Sequence, residues 1–100
     1  MVTEIAHISI DPARAVDFEA AVALAAPLFK GAAGCQAMSL ERTIEDPARY
    51  RLVVRWATVE DHTVTFRGSQ AFLDWRALAG PYFTAPPVVE HVQSVGNYFG

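Results

Sequence analysis

Apolar and polar positions alternate most clearly over residues 50–56, Tyr-Arg-Leu-Val-Val-Arg-Trp. A period of two over seven residues predicts a strand with one face buried. Thr58-Val59-Glu60-Asp61 follows at once and resembles a capping box, with Asp61 in place of the usual Glu, so a helix opens there. The chain's first half repeats the order. Residues 2–10 predict a strand in which Ala6, Ile8 and Ile10 share one face and Ile5, His7 and Ser9 the other. Asp11 then caps a helix with Pro12 at its first position, where a missing N–H costs nothing. Phe18, Val22, Ala25 and Phe29 form one helical stripe, and Pro27 is expected to bend or end the helix.

Gly31 and Gly34 allow the next turn. A weaker strand covers residues 35–45, and Asp46-Pro47 in the turn that follows makes a hairpin with the strand beginning at Tyr50. Gly68-Ser69 interrupts the second helix, Ser69 caps a further segment over residues 70–79, and Gly80-Pro81 stops it. Pro86-Pro87 leads into a last strand over residues 88–95. The order strand, helix, strand, strand, helix, strand predicts an α+β fold, the ferredoxin-like split βαβ. Four antiparallel strands then carry both helices on one face, within one domain of residues 1–100.

Ala6, Ile8, Ile10, Leu52, Val54 and Trp56 are assigned to the helix-covered face. Ile5, His7, Ser9, Arg51, Val53 and Arg55 occupy the other, and His91, Gln93, Val89 and Val95 are placed with them. This second face is too apolar for open water and too polar for an ordinary core. A second copy of the chain covering it, with a cavity between, satisfies both conditions.

Composition supports that reading. Hydrophobic residues make up 52% and charged residues only 19% of 100 residues, which is apolar for a chain that buries roughly 60–70% of its unfolded surface. The net charge of −3, without any basic stripe, argues against nucleic-acid binding. One cysteine, Cys35, forbids an internal disulfide. No basic segment precedes an apolar one at the N-terminus, and no apolar run is long enough for a bilayer. A cytoplasmic protein is expected. The three His and one Cys lack metal-ligand spacing, and no phosphate loop or nucleophile elbow occurs, so neither metal nor cofactor is expected.

Over nearly its whole length the chain resembles the antibiotic biosynthesis monooxygenase domain, a branch of the dimeric α+β barrel superfamily. The resemblance rests on Ala33-Gly34-Cys35 after the first helix, Asp46-Pro47 in the hairpin, Arg55-Trp56, Glu60-Asp61, and Ser69 with Phe72. It implies a homodimer whose two sheets close a barrel around small cavities. In some members it implies oxidation of aromatic or quinone-like molecules by dioxygen without a cofactor. Three positions depart from the family pattern: Phe66 and Ala71 stand where histidines are common, and Val54 where a Glu is common. Phe66 also sets the chain apart from haem-degrading relatives, which carry an iron-ligating His in this region.

Such chemistry needs a dry pocket, a base and donors for a developing oxyanion. On the open face the candidate catalytic residues are His7 and His91 as bases and Arg55 as the oxyanion partner. Arg51, Trp56, Tyr82 and Phe66 are the candidate contacts to a planar substrate. Each has a plainer role: His7 as an interface donor, Arg51 and Arg55 pairing with Glu41, Glu45 or Glu90, and Trp56 as core. His62 is read as packed beside Val59 and Phe66, and Cys35 as an inert thiol. A dimeric barrel that binds a small aromatic ligand without turning it over is the alternative to the oxygenase.

Overall fold

The computed structural model describes residues Met1–Gly100. Four strands, β1 (Val2–Ser9), β2 (Cys35–Arg42), β3 (Arg49–Trp56) and β4 (Val88–Val92), form one sheet in the order β2-β3-β1-β4. Every neighbouring pair is antiparallel. Helices α1 (Ala15–Lys30) and α2 (Gln70–Ala79) pack together on one face. This is the ferredoxin-like split βαβ that the alternation predicts.

The caps form as the sequence indicates. Asp11 accepts from the Ala13 amide, and a 3-10 turn over Pro12–Arg14 leads into α1. Ser69 accepts from the Phe72 amide and starts α2. Thr58 and Asp61 bond reciprocally, the Asp61 carboxylate to the Thr58 amide and the Thr58 hydroxyl to the Asp61 amide.

Phe18, Val22, Ala25 and Phe29 face inward from α1 and meet Ala6, Ile8, Leu52, Val54 and Trp56 from the sheet. Pro27 does not end α1, which continues to Lys30. Ala23 and Pro27 both lie on the exposed side, where water serves the carbonyl that proline leaves without a donor. Two strands are shorter than expected: β2 ends at Arg42 and β4 at Val92.

The largest local difference from the sequence reading follows β3. Asp61–Phe66 is a π-helical turn, not α-helix, with the Arg67 amide bonded to the His62 carbonyl five residues back. Gly34 anchors this turn. Its φ is +78°, its carbonyl accepts from Ala57, and a Cβ placed on it would stand 2.1 Å from the Asp61 carboxylate. Gly34→Ala is expected to lower stability by more than the ~1–2 kcal/mol of the left-handed backbone alone, because the carboxylate must also move. Urea denaturation checks this, and an unchanged midpoint would refute it.

Candidate active site between the sheet and the second helix

Glu4 breaks an otherwise apolar row. It stands in phase with Ala6 and Ile8 on β1, so the strand turns its carboxylate under the helices, and its side chain is 6% exposed. The π-helical turn brings His62, 4% exposed, above it. Cross-strand pairing sets His91 opposite Glu4, on the same face.

These groups form one network. The Trp56 indole N–H donates to Glu4 Oε1 at 3.0 Å. His62 Nε2 lies 3.3 Å from the same oxygen. His62 Nδ1 lies 2.8 Å from His91 Nε2. The Trp56 and His62 rings stack with centroids 5.3 Å apart, and Phe66 packs behind both. Glu4 Oε2 takes no hydrogen bond from the protein. It is not a sealed, unsatisfied atom either, so it opens onto free space.

That space is a cavity of about 320 Å³ between the sheet and α2. Ala6, Ile8, Leu52, Val89 and Pro87 form its apolar floor and side; Phe72, Trp75 and Phe83 give aromatic walls. Exposed Arg67 and Arg76 stand at its rim, and neither forms an ion pair.

Burial decides the charge states. It pushes the Glu4 carboxyl above the ordinary carboxylate range, against the opposing pull of the Trp56 hydrogen bond and the Arg67 charge. His62 is lowered to about 4, first by burial, then by the charge of Arg67 and by His91. Both shifts work against the charged forms: a proton binds Glu4 more readily than an ordinary carboxylate and His62 less readily than an ordinary imidazole. A carboxylate made more basic by burial in a mostly apolar cavity suits proton abstraction.

The sequence candidates divide between the two faces. His91 was expected on the open face, yet it lies on the helix-covered one with Val89. Gln93 and Val95 fall beyond β4. The reason is non-local: each alternating set of this short strand mixes apolar and polar residues, and its pairing with β1 selects the face. Trp56 and Phe66 surround His62 from behind and do not line the cavity. His7, Arg51 and Arg55 lie on the opposite face. There His7 bonds Glu90 at 3.0 Å, Arg51 pairs with Glu41 at 2.8 Å, and Arg55 contacts Met1. His7 and Arg51 line a separate, mostly polar hollow of about 220 Å³. Tyr82 packs away from both sites, against Phe18 and under Arg14. Glu4, absent from the sequence candidates, and His62, read as packing, form the centre. A charged residue in register with an apolar face was the available signal for Glu4. No group of three or more His, Cys, Asp and Glu side chains is arranged to hold a metal ion. No helix is long and apolar enough to cross a membrane.

The fold is that of a small antibiotic biosynthesis monooxygenase domain. The family profile of that description matches residues 1–78, and the chain belongs to this family. It is 41% identical over 95 residues to the uncharacterised protein YczJ of Bacillus subtilis, covering 95% of this chain and all of that one. Among solved structures, a Bordetella bronchiseptica protein assigned as an antibiotic biosynthesis monooxygenase is 52% identical, with a TM-score of 0.92 over 94% of this chain and 96% of that one. SnoaB, a cofactor-independent oxygenase from Streptomyces nogalater, is 17% identical and shares the fold, with a TM-score of 0.78 over 97% and 95% of the two chains.

Proposed function

We propose that the protein is a cofactor-independent monooxygenase of a small aromatic or quinone-like molecule, working in the cavity under α2 with Glu4 as its base. The observation that carries this reading is the free Oε2 of a buried carboxyl facing a cavity that is otherwise mostly apolar. Glu4 Oε2 takes a proton from a phenolic or enolisable substrate. The resulting anion is electron-rich enough to reduce dioxygen itself. For an aromatic methylene the balance is CH2 plus O2 giving C=O plus water, so no further reductant is required. Phe72, Trp75 and Phe83 hold the ring plane, and Arg67 and Arg76 attract the developing oxyanion.

The open face is the natural seat of a second copy, which makes the working unit a homodimer. Half-buried Ile5 and Val53 and exposed Val88 and Val92 lie among paired polar groups there. In this reading His7, Arg51 and Arg55 are interface residues. A cytoplasmic location, a single domain over residues 1–100 and the absence of a cofactor belong to the same proposal.

Oxygen uptake with a panel of anthrones and hydroquinones, without added flavin or metal, tests the activity. Turnover supports the oxygenase; thermal stabilisation by the same compounds without uptake replaces it with a binding role. Sedimentation that finds only solitary monomers overturns the dimer.

A further inference from the structure

A buried base must lose the proton it has taken before it can act again, and Glu4, with its side chain 6% exposed, lines the cavity its substrate fills. The hydrogen-bonded chain behind it leads elsewhere. Glu4 Oε1 touches His62 Nε2, His62 Nδ1 touches His91 Nε2, and His91 is half-buried on β4, the edge strand of the sheet. Both ring nitrogens of His62 are thus engaged, one toward the carboxyl and one toward the edge.

We infer that Glu4, His62 and His91 form a proton relay in which His91 is the outlet to solvent. The inference rests on the reading of Glu4 as the base.

Two proton arrangements satisfy these contacts. In the first, the Glu4 carboxylic acid donates to His62 Nε2, and His62 Nδ1–H donates to His91 Nε2. In the second, His62 Nε2–H donates to the Glu4 carboxylate, and His91 Nε2–H donates to His62 Nδ1. They interconvert by two proton shifts. A half-turn of the protonated carboxyl about Cγ–Cδ carries the oxygen that took the substrate's proton from the cavity to His62; that proton then moves to His62 Nε2 while the His62 Nδ1 proton moves to His91 Nε2. Glu4 becomes a carboxylate, His62 stays neutral, and His91 becomes an imidazolium that releases its Nδ1 proton to water. No charge is created on His62, whose side chain is 4% exposed, which suits the preference of that site for a neutral ring. Each passage leaves both rings in the opposite tautomer, which is reset before the next.

Each member has a distinct supporting contact. In the carboxylate the Trp56 N–H holds Oε1 in line with His62 and leaves Oε2 to the cavity, and it takes up the same contact again once the carboxyl has turned and given up its proton. The Trp56 ring fixes the His62 plane by stacking. Arg67, on the segment after the π-helical turn, is the one other charged group acting on both Glu4 and His62, and it favours the state in which the carboxylate is formed and the imidazole uncharged.

His91 is on this account a positioning and relay residue that never touches substrate. His91→Gln keeps an acceptor for His62 Nδ1 and cannot carry a proton onward; His91→Phe removes both properties. In weak buffer both variants are expected to lose roughly tenfold or more in kcat with little change in KM, a modest share of ordinary acid–base catalysis. Raising the imidazole concentration restores kcat in both variants and leaves the wild type unchanged. A purely structural histidine gives no buffer dependence, and that result overturns the relay.

Nitrogen NMR supplies the second readout and needs no substrate. A resolved coupling between His62 Nδ1 and His91 Nε2 across their hydrogen bond supports the relay. Its absence from pH 6 to 9 ends it. Should no compound turn over while the coupling is present, the oxygenase reading falls and the wired carboxyl stands.

Discussion

Glu4→Gln is expected to lower the rate of oxygen uptake by about 10²–10⁴-fold, the span of general-base catalysis, while leaving the fold intact. Glutamine is nearly isosteric. Its carbonyl oxygen still accepts from the Trp56 indole, so the apolar packing around β1 has no reason to change. Only the capacity to take a proton is lost. The same substitution carries a stability signature of definite sign. The Glu4 carboxyl is raised in the folded state by burial. Its contribution to stability is therefore greatest below the unfolded value, near 4.5, and is lost as pH rises through the folded value. The variant is spared that loss. Urea denaturation at pH 5 and pH 8 should show the variant gaining on the wild type at the higher pH. A variant that is inactive and relatively more stable in alkali marks a site that gives up stability for function. Retained activity in Glu4→Gln would remove Glu4 from the mechanism.

His62→Gln is expected to flatten the acid side of the stability profile. The His62 imidazole titrates at 6.5 ordinarily and at about 4 in the folded protein. The unfolded chain therefore binds a proton that the folded one refuses, and the wild type loses stability as pH falls from 6.5 toward 4. At about 1.4 kcal/mol for each pH unit, the loss reaches about 3 kcal/mol. Glu4 works in the opposite direction over part of the same range, since its raised carboxyl favours folding as it becomes protonated. Comparing the wild type with His62→Gln cancels most of that term, because Glu4 is present in both. Denaturant titrations between pH 4 and pH 7 measure the difference. Parallel profiles would show that His62 carries its proton equally in both states.

Local chemistry made much of this architecture legible. Alternation in β1 and β3 gave the covered face, and Asp11, Thr58, Asp61 and Ser69 gave the helix starts. Each signal lies within a few residues of what it determines. The site was less legible because its members are joined by pairing between distant segments. His91 faces inward because of where β4 docks on β1, and nothing within Val88–Val92 decides that. Glu4 was readable in principle, being in phase with Ala6 and Ile8, but its partners are 52 and 58 positions away along the chain. His62 depends on the registry of its turn, which the reciprocal Thr58–Asp61 cap announces without specifying. The polar residues that alternation did display, His7, Arg51 and Arg55, belong to the face the helices leave bare.

The wide registry of Asp61–Phe66 has an evolutionary consequence. An α-helix advances about 100° per residue. Deleting one residue there would tighten the coil to its ordinary pitch and swing the His62 ring away from both of its neighbours. Length variation of a single codon, with no exchange of side chains, is therefore an economical route by which a lineage on this scaffold can acquire or abandon an acid–base centre.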